Sequence, residues 1–229
     1  ETQCVSCHMP IRTYMVIDDR HDHSLRVPRP DVSVATGSPN ACNACHTKPE
    51  EDADWAAEVV REWYGEKRPD DPRWAEAIAA GRAGALEANE LLHEWIARRD
   101  APDVVRATAV ELLGRYASEE NRLILERAMR DDSPLVRAAA VRSLPLPPPA
   151  TDDGAAQNPN DEAAANAWGQ TRFRFVDKAV PLLSDDVRSV RMAAANRIVG
   201  AVDELKRAGA KEALDEAIAE FRAGQEMHL

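Results

Sequence analysis

From Asp54 onward, apolar residues recur at the spacing of one helical face, beginning with Trp55, Val59, Val60 and Trp63. Residues 1–51 show scarcely any period of helix or strand, and prolines at positions 10, 28, 30, 39 and 49 interrupt them. The chain is therefore expected to divide near residue 52, into an irregular segment (1–52) and a helical domain (53–229). Within the second part three stretches superimpose: Val105-Arg106-Ala107-Thr108-Ala109, Val136-Arg137-Ala138-Ala139-Ala140 and Val190-Arg191-Met192-Ala193-Ala194. Each follows acid: Asp103, the pair Asp131 and Asp132, and the pair Asp185 and Asp186. The first two stretches lie 31 residues apart, about one helical hairpin, and the third lies 54 further on. The surplus matches a stretch at about 145–166 that opens on Pro145-Leu146-Pro147-Pro148-Pro149 and continues rich in Asn, Asp, Gly and Ala, the composition of an inserted surface loop.

Asp131 to Ala140 and Asp185 to Ala194 both read D-x-x-x-x-V-R-x-x-A, which resembles the second-helix signature of HEAT repeats. The resemblance implies stacked helical hairpins: Asp opens a helix, alanines let helices approach closely, and buried Val and Leu join neighbours into one core. The expected fold class is mostly α, an irregular N-terminal segment followed by an α-solenoid of HEAT-like hairpins. With 44% hydrophobic but only 5% aromatic residues, the chain can bury one extended core or two small ones. A formal charge of −11 argues against nucleic acid and favours a basic docking partner over an anionic membrane. No run of 18 apolar residues exists, so no helix is expected to span a bilayer.

The four cysteines change the picture more than any other feature. Cys4-Val5-Ser6-Cys7-His8 and Cys42-Asn43-Ala44-Cys45-His46 are two copies of C-x-x-C-H and use every cysteine in the chain. In this motif the sulfurs form thioethers with haem vinyl groups, and the adjoining His gives an axial nitrogen to iron. Two covalently bound haem c groups are expected, on Cys4 with Cys7 and on Cys42 with Cys45, with His8 and His46 as proximal ligands. Two flat porphyrins can replace the core that residues 1–51 cannot build from their own side chains, as metals and disulfides staple other small folds. A structural zinc site on the same four thiols is the competing reading. Its 34-residue linker exceeds the usual spacing, and it leaves the His after each second Cys unexplained. A thioredoxin-like pair fits less well, because no βαβ pattern surrounds either motif. Covalent haem is attached outside the cytoplasm, so the protein is expected to be exported, periplasmic or extracellular. No signal peptide is visible at Glu1, which is expected of a mature or trimmed chain.

Second axial ligands must come from the remaining donors. In the N-terminal segment these are His21 and His23, with Met9 and Met15 as softer candidates. His21 and His23 stand two apart, so in an extended segment both point to one side and reach one haem or two adjacent ones. His93 and His228, in the helical part, are expected to be surface or packed side chains. The acidic run Glu50-Glu51-Asp52 reads as solvated helix-start residues. Arg26-Val27-Pro28-Arg29-Pro30-Asp31 is expected to be extended by its prolines and to wrap a haem face.

Together with these, Cys4 to Pro10, Thr13-Tyr14-Met15-Val16, Asp22-His23-Ser24, the stretch Arg26 to Asp31, Pro39 to His46 and Trp63-Tyr64-Gly65 resemble a family of exported multihaem c-type cytochromes with C-terminal HEAT or TPR-type repeats. The similarity covers residues 3–65 closely and the repeats generically. It implies that His23 is a distal ligand, since the family's Asp-His-Ser stretch carries its His there and has a basic residue more usually at the position of His21. Family members usually carry further haem motifs and histidines upstream. The sixth ligand of the His8 haem is then His21, Met15, a residue of another chain, or none. The expected function is electron transfer, with the repeats docking a redox partner or further copies of the same chain. Two readings stand beside it: a haem enzyme acting on a small nitrogen or oxygen species at an open iron, and a solenoid interaction module whose haems are structural.

Overall fold

The computed structural model describes residues 3–23, 25–65, 74–144, 174–201, 205 and 209–226. The inserted stretch at about 145–166, Ser24 of the Asp-His-Ser motif and His228 lie outside the described residues. The backbone forms two compact units, Glu1–Ala79 and Ala80–Leu229. Their division falls inside a helix, α4 (Trp74–Ala83), later than the change of pattern at residue 52.

The N-terminal unit holds more regular structure than its sequence pattern announces. It opens with a short helix α1 (Cys4–His8), followed by the strands β1 (Ile11–Tyr14) and β2 (Asp18–His21). The strands pair antiparallel, Ile11 opposite His21 and Tyr14 opposite Asp18. All eight strand residues are exposed, so no inside-outside alternation marks them. Met15 and Val16 turn the hairpin with φ of 52° and 71°, a conformation that favours glycine or asparagine. Helix α2 (Pro30–Thr36) corrects the expectation of an extended stretch through Asp31. Pro30 sits in the first turn, where its missing N–H costs nothing and its fixed φ suits the helix, and Asp31 adds acid there. Gly37, with φ of 70°, closes the helix by donating its N–H to the Ser33 carbonyl. Helix α3 (Ala53–Tyr64) packs on α2 and starts where Asp52 accepts the Trp55 N–H at 2.9 Å. Between Gln3 and Gly65 the buried apolar residues are few and small, chiefly Ala56 and Ala57 beside Pro30.

The second unit is a stack of helical hairpins. Helices α5 (Ala88–Ala97), α6 (Asp103–Leu113), α7 (Glu119–Ala128) and α8 (Pro134–Ser143) precede the undescribed stretch, and α9 (Arg188–Ile198) and α10 (Lys211–Glu226) follow it. Helix α6 packs on α8, and α8 on α9, so the three superimposable stretches form one continuous layer. Helices α5 and α7 flank that layer before the insertion, and a 3₁₀ turn (Val180–Ser184) flanks α9 after it. Val105, Val136 and Val190 are buried, and Ala109, Ala140 and Ala194, four residues later in each, have no exposed surface. The short alanine side chains let the layer close.

A ladder of arginines ties each repeat to the next. Arg106 pairs with Asp131, Arg137 with Asp185, and Arg191 with Glu220. Asp131 and Asp185 also accept the backbone N–H two residues on, from Ser133 and Val187, each at about 3 Å. Arg137 donates in addition to the carbonyls of Asp131 and Asp132, and Arg191 does the same to those of Asp185 and Asp186. Arg137 and Arg191 therefore each satisfy one loop and one neighbouring carboxylate, whereas Arg106 donates to its carboxylate and to the Ile96 carbonyl in α5. His93 is packed, its Nε2 lying 2.7 Å from Oδ1 of the buried Asn121.

Close approach rather than unusual dihedrals explains Gly114, at the end of α6. A Cβ there would lie 2.6 Å from the Ser143 carbonyl oxygen and 2.7 Å from the Ser143 Cβ. Gly114→Ala must push α6 away from the end of α8, at a cost of about 1–3 kcal/mol. Denaturant unfolding should show the loss as a lower midpoint with unchanged slope. A variant as stable as the parent would mean that the contact is looser than its geometry.

Candidate functional site

The first motif is a single helical turn. Cys4 and Cys7 are three residues apart on α1 and so share a face, with His8 ending the helix. His8 is fixed from the opposite strand of chain: its Nδ1 lies 2.9 Å from the Arg26 carbonyl, and the Arg26 N–H donates to the His8 carbonyl at 3.1 Å. An Nδ1 facing a carbonyl oxygen must carry the proton, which leaves the Nε2 lone pair free. This is the orientation that metal-ligating histidines take from their outer partners. His21 repeats it, with Nδ1 2.8 Å from the Met9 carbonyl.

The second motif is a tighter turn with its own support. Residues Cys42–Ala44 form a 3₁₀ turn, and the N–H groups of Cys45 and His46 both donate to the Cys42 carbonyl. The Asn40 side chain caps the turn, accepting from the N–H of Cys42 at 3.0 Å and of Asn43 at 3.2 Å. Asn43 then staples the following loop, donating from its amide to the carbonyls of His46 and Glu51. The His46 ring lies 4.7 Å from Trp55, tilted by 46°. Its Nδ1 faces Oε2 of Glu51 at 3.6 Å, while Oε1 of Glu51 accepts from Lys48 at 3.3 Å. Partial burial works to raise the Glu51 pKa, but the Lys48 hydrogen bond and charge outweigh it and hold the carboxyl below the usual range. A cleft of about 400 Å³ opens beside this turn, lined by Arg12, Ser33, Ser38, Asn40 and Asn43.

All four thiols are free. Cys4 and Cys45 are exposed, and Cys7 and Cys42 are partly covered. Burial pushes the Cys42 thiol up, and the charge of Cys7 adds to that shift. Among the described residues no three His, Cys, Asp or Glu side chains converge as a bare metal ion requires. Exposed apolar side chains surround the motifs in sequence, among them Ile11, Tyr14, Leu25 and Val27. Free thiols on one-turn spacing, histidines with Nε2 left open and uncovered apolar surface fit a covalently attached haem.

The other donors are placed differently from one another. Strand β2 ends at His21, so the alternation that would point His21 and His23 to one side stops between them. His23 is exposed in the turn that follows, and Met15 is exposed at the hairpin tip. Sequence reasoning missed the supporting residues Asn40, Asn43 and Glu51. Asn40 carried a signal, an asparagine two residues before a turn. Glu51 carried none, because Asp52 beside it is the residue that caps α3.

Among the described residues no helix is long and apolar enough to cross a membrane. No curated protein and no solved structure matches the chain. A family model described as HEAT repeats matches residues 89–146, a stretch that includes α6, α7 and α8 and all but the first residue of α5, so the hairpins there are similar to HEAT repeats.

Proposed function

We propose that the chain is an exported dihaem c-type cytochrome that passes single electrons, with its HEAT repeats docking a redox partner protein or further copies of itself. The observation that carries this reading is the pair of C-x-x-C-H turns, each with free thiols and a histidine whose Nδ1 is turned to an outer partner. Bound haem supplies reversible exchange of one electron, lost by the donor and gained by the acceptor. The chain anchors the groups through Cys4, Cys7, Cys42 and Cys45 and presents Nε2 of His8 and of His46. Repeat solenoids offer long surfaces suited to protein partners.

The test is the optical spectrum of the purified protein, oxidised, reduced with dithionite and then exposed to carbon monoxide, with haem counted per chain. Two haems with low-spin bands unmoved by carbon monoxide support an electron carrier. A carbon-monoxide-sensitive fraction would favour catalysis at an open iron or a ligand supplied by another chain. The absence of a haem band would overturn the proposal.

The family resemblance makes His23 a distal ligand, so His23→Ala should turn one iron high-spin. Unchanged low-spin spectra would remove that assignment and pass it to His21, whose ring the Met9 carbonyl already orients.

A further inference from the structure

The two motifs share a spacing and a turn, yet different groups face their histidines. Nδ1 of His8 meets a neutral backbone carbonyl, that of Arg26, at 2.9 Å. Nδ1 of His46 meets a carboxylate, that of Glu51, at 3.6 Å. The Glu51 side chain is only 19% exposed and is held from both sides: Lys48 binds its other oxygen, and Asn43 binds its backbone carbonyl at 2.5 Å. At 3.6 Å the carboxylate stands beyond hydrogen-bond length, so it acts on the ring as a nearby negative charge. That charge favours the more positive oxidation state of whatever the ring ligates. The neutral carbonyl that His8 meets carries no such charge.

On the dihaem reading just proposed, we infer that Glu51 sets the two haem potentials apart, lowering that of the haem on Cys42 and Cys45 relative to that of the haem on Cys4 and Cys7. Glu51 is a positioning residue that acts through His46. An electron entering at the second motif is then driven toward the first. The bias comes from one side chain rather than from the net charge of the protein.

Redox titration of the holoprotein tests this against Glu51→Gln, which keeps the shape of the side chain and removes its charge. One of the two midpoints should rise, by about tenfold in its electron-sharing equilibrium, or 59 mV for a one-electron couple, and the other should stay in place. Glu50→Gln makes the same change of charge at an exposed neighbour and should leave both midpoints unmoved. Haem is counted in each sample first. Two haems with unmoved midpoints in Glu51→Gln, an equal rise of both, or an equal effect of Glu50→Gln would sink the assignment to Glu51 and leave the dihaem reading standing. No haem in the parent protein would remove the reading and this inference together.

Discussion

On the dihaem proposal, a variant carrying Cys42→Ser and Cys45→Ser should retain one covalent haem where the parent carries two. Serine oxygen forms no thioether with the vinyl groups, and His46 alone would leave a group held only by coordination. Haem-stained denaturing gels and quantified haem absorbance read the result directly, as a halving per chain. The structural consequence should be local. Between Gln3 and Gly65 the unit has little beyond Ala56, Ala57 and Pro30 in its interior, so bound groups are expected to supply most of its cohesion. Removing one should make the N-terminal unit more open to proteolysis, while the far-ultraviolet dichroism of the repeats persists. Retention of two haems would show that these thiols are not anchors. A protein stable at its N-terminus without either haem would show that some other contact holds the segment.

What could be read from residues alone follows from how local each constraint is. Val105, Val136 and Val190, with the alanines four positions on, repeat within single helices, and all six are buried where the pattern put them. The arginines beside those valines had a role hidden from the pattern, because each finds its carboxylate in the next repeat, 25 to 48 residues away for the first two. In the N-terminal unit the two C-x-x-C-H motifs were legible as cysteines three apart, a spacing that a single helical turn satisfies. The hairpin was not, because both its faces are exposed and its turn uses Met15 and Val16 in place of the usual glycine or asparagine. Helix α2 was masked by prolines, although Pro30 is a residue that begins helices well. Glu51 looked like its acidic neighbours until the fold turned it to His46.

Asp131→Ala should be the most damaging single change in the repeats. Its carboxylate is bidentate to Arg106, with side chains 5% and 4% exposed, and it also accepts from Arg99 at 2.8 Å and from the Ser133 N–H at 3.0 Å. Alanine leaves the buried Arg106 guanidinium with only the exposed Asp103 carboxylate, 3.7 Å away, as counter-charge, a loss of about 3–5 kcal/mol. That is a large part of the 5–15 kcal/mol typical of a whole domain, so the denaturation midpoint should fall steeply. Replacing both partners, Arg106→Met with Asp131→Leu, should recover most of the loss, because no charge is then stranded. The same pair dictates the response to acid. Burial works to raise the Asp131 pKa, but the hydrogen bond from Arg106, the Ser133 amide and the charges of Arg106 and Arg99 outweigh it, and the folded value lies below the usual one. Asp185, bound by Arg137, is lowered in the same way. A carboxyl whose folded pKa is depressed contributes in full above its unfolded value of about 3.9, and that contribution fades as pH falls through the folded value. The parent should therefore lose stability below about pH 4, and Asp131→Ala should lose less over the same interval because part of the linkage is gone. Urea unfolding at neutral pH and at successively lower values reads both effects. Equal acid sensitivity in parent and variant, or a neutral-pH midpoint unchanged by the substitution, would show that the ladder contributes little to holding the repeats together.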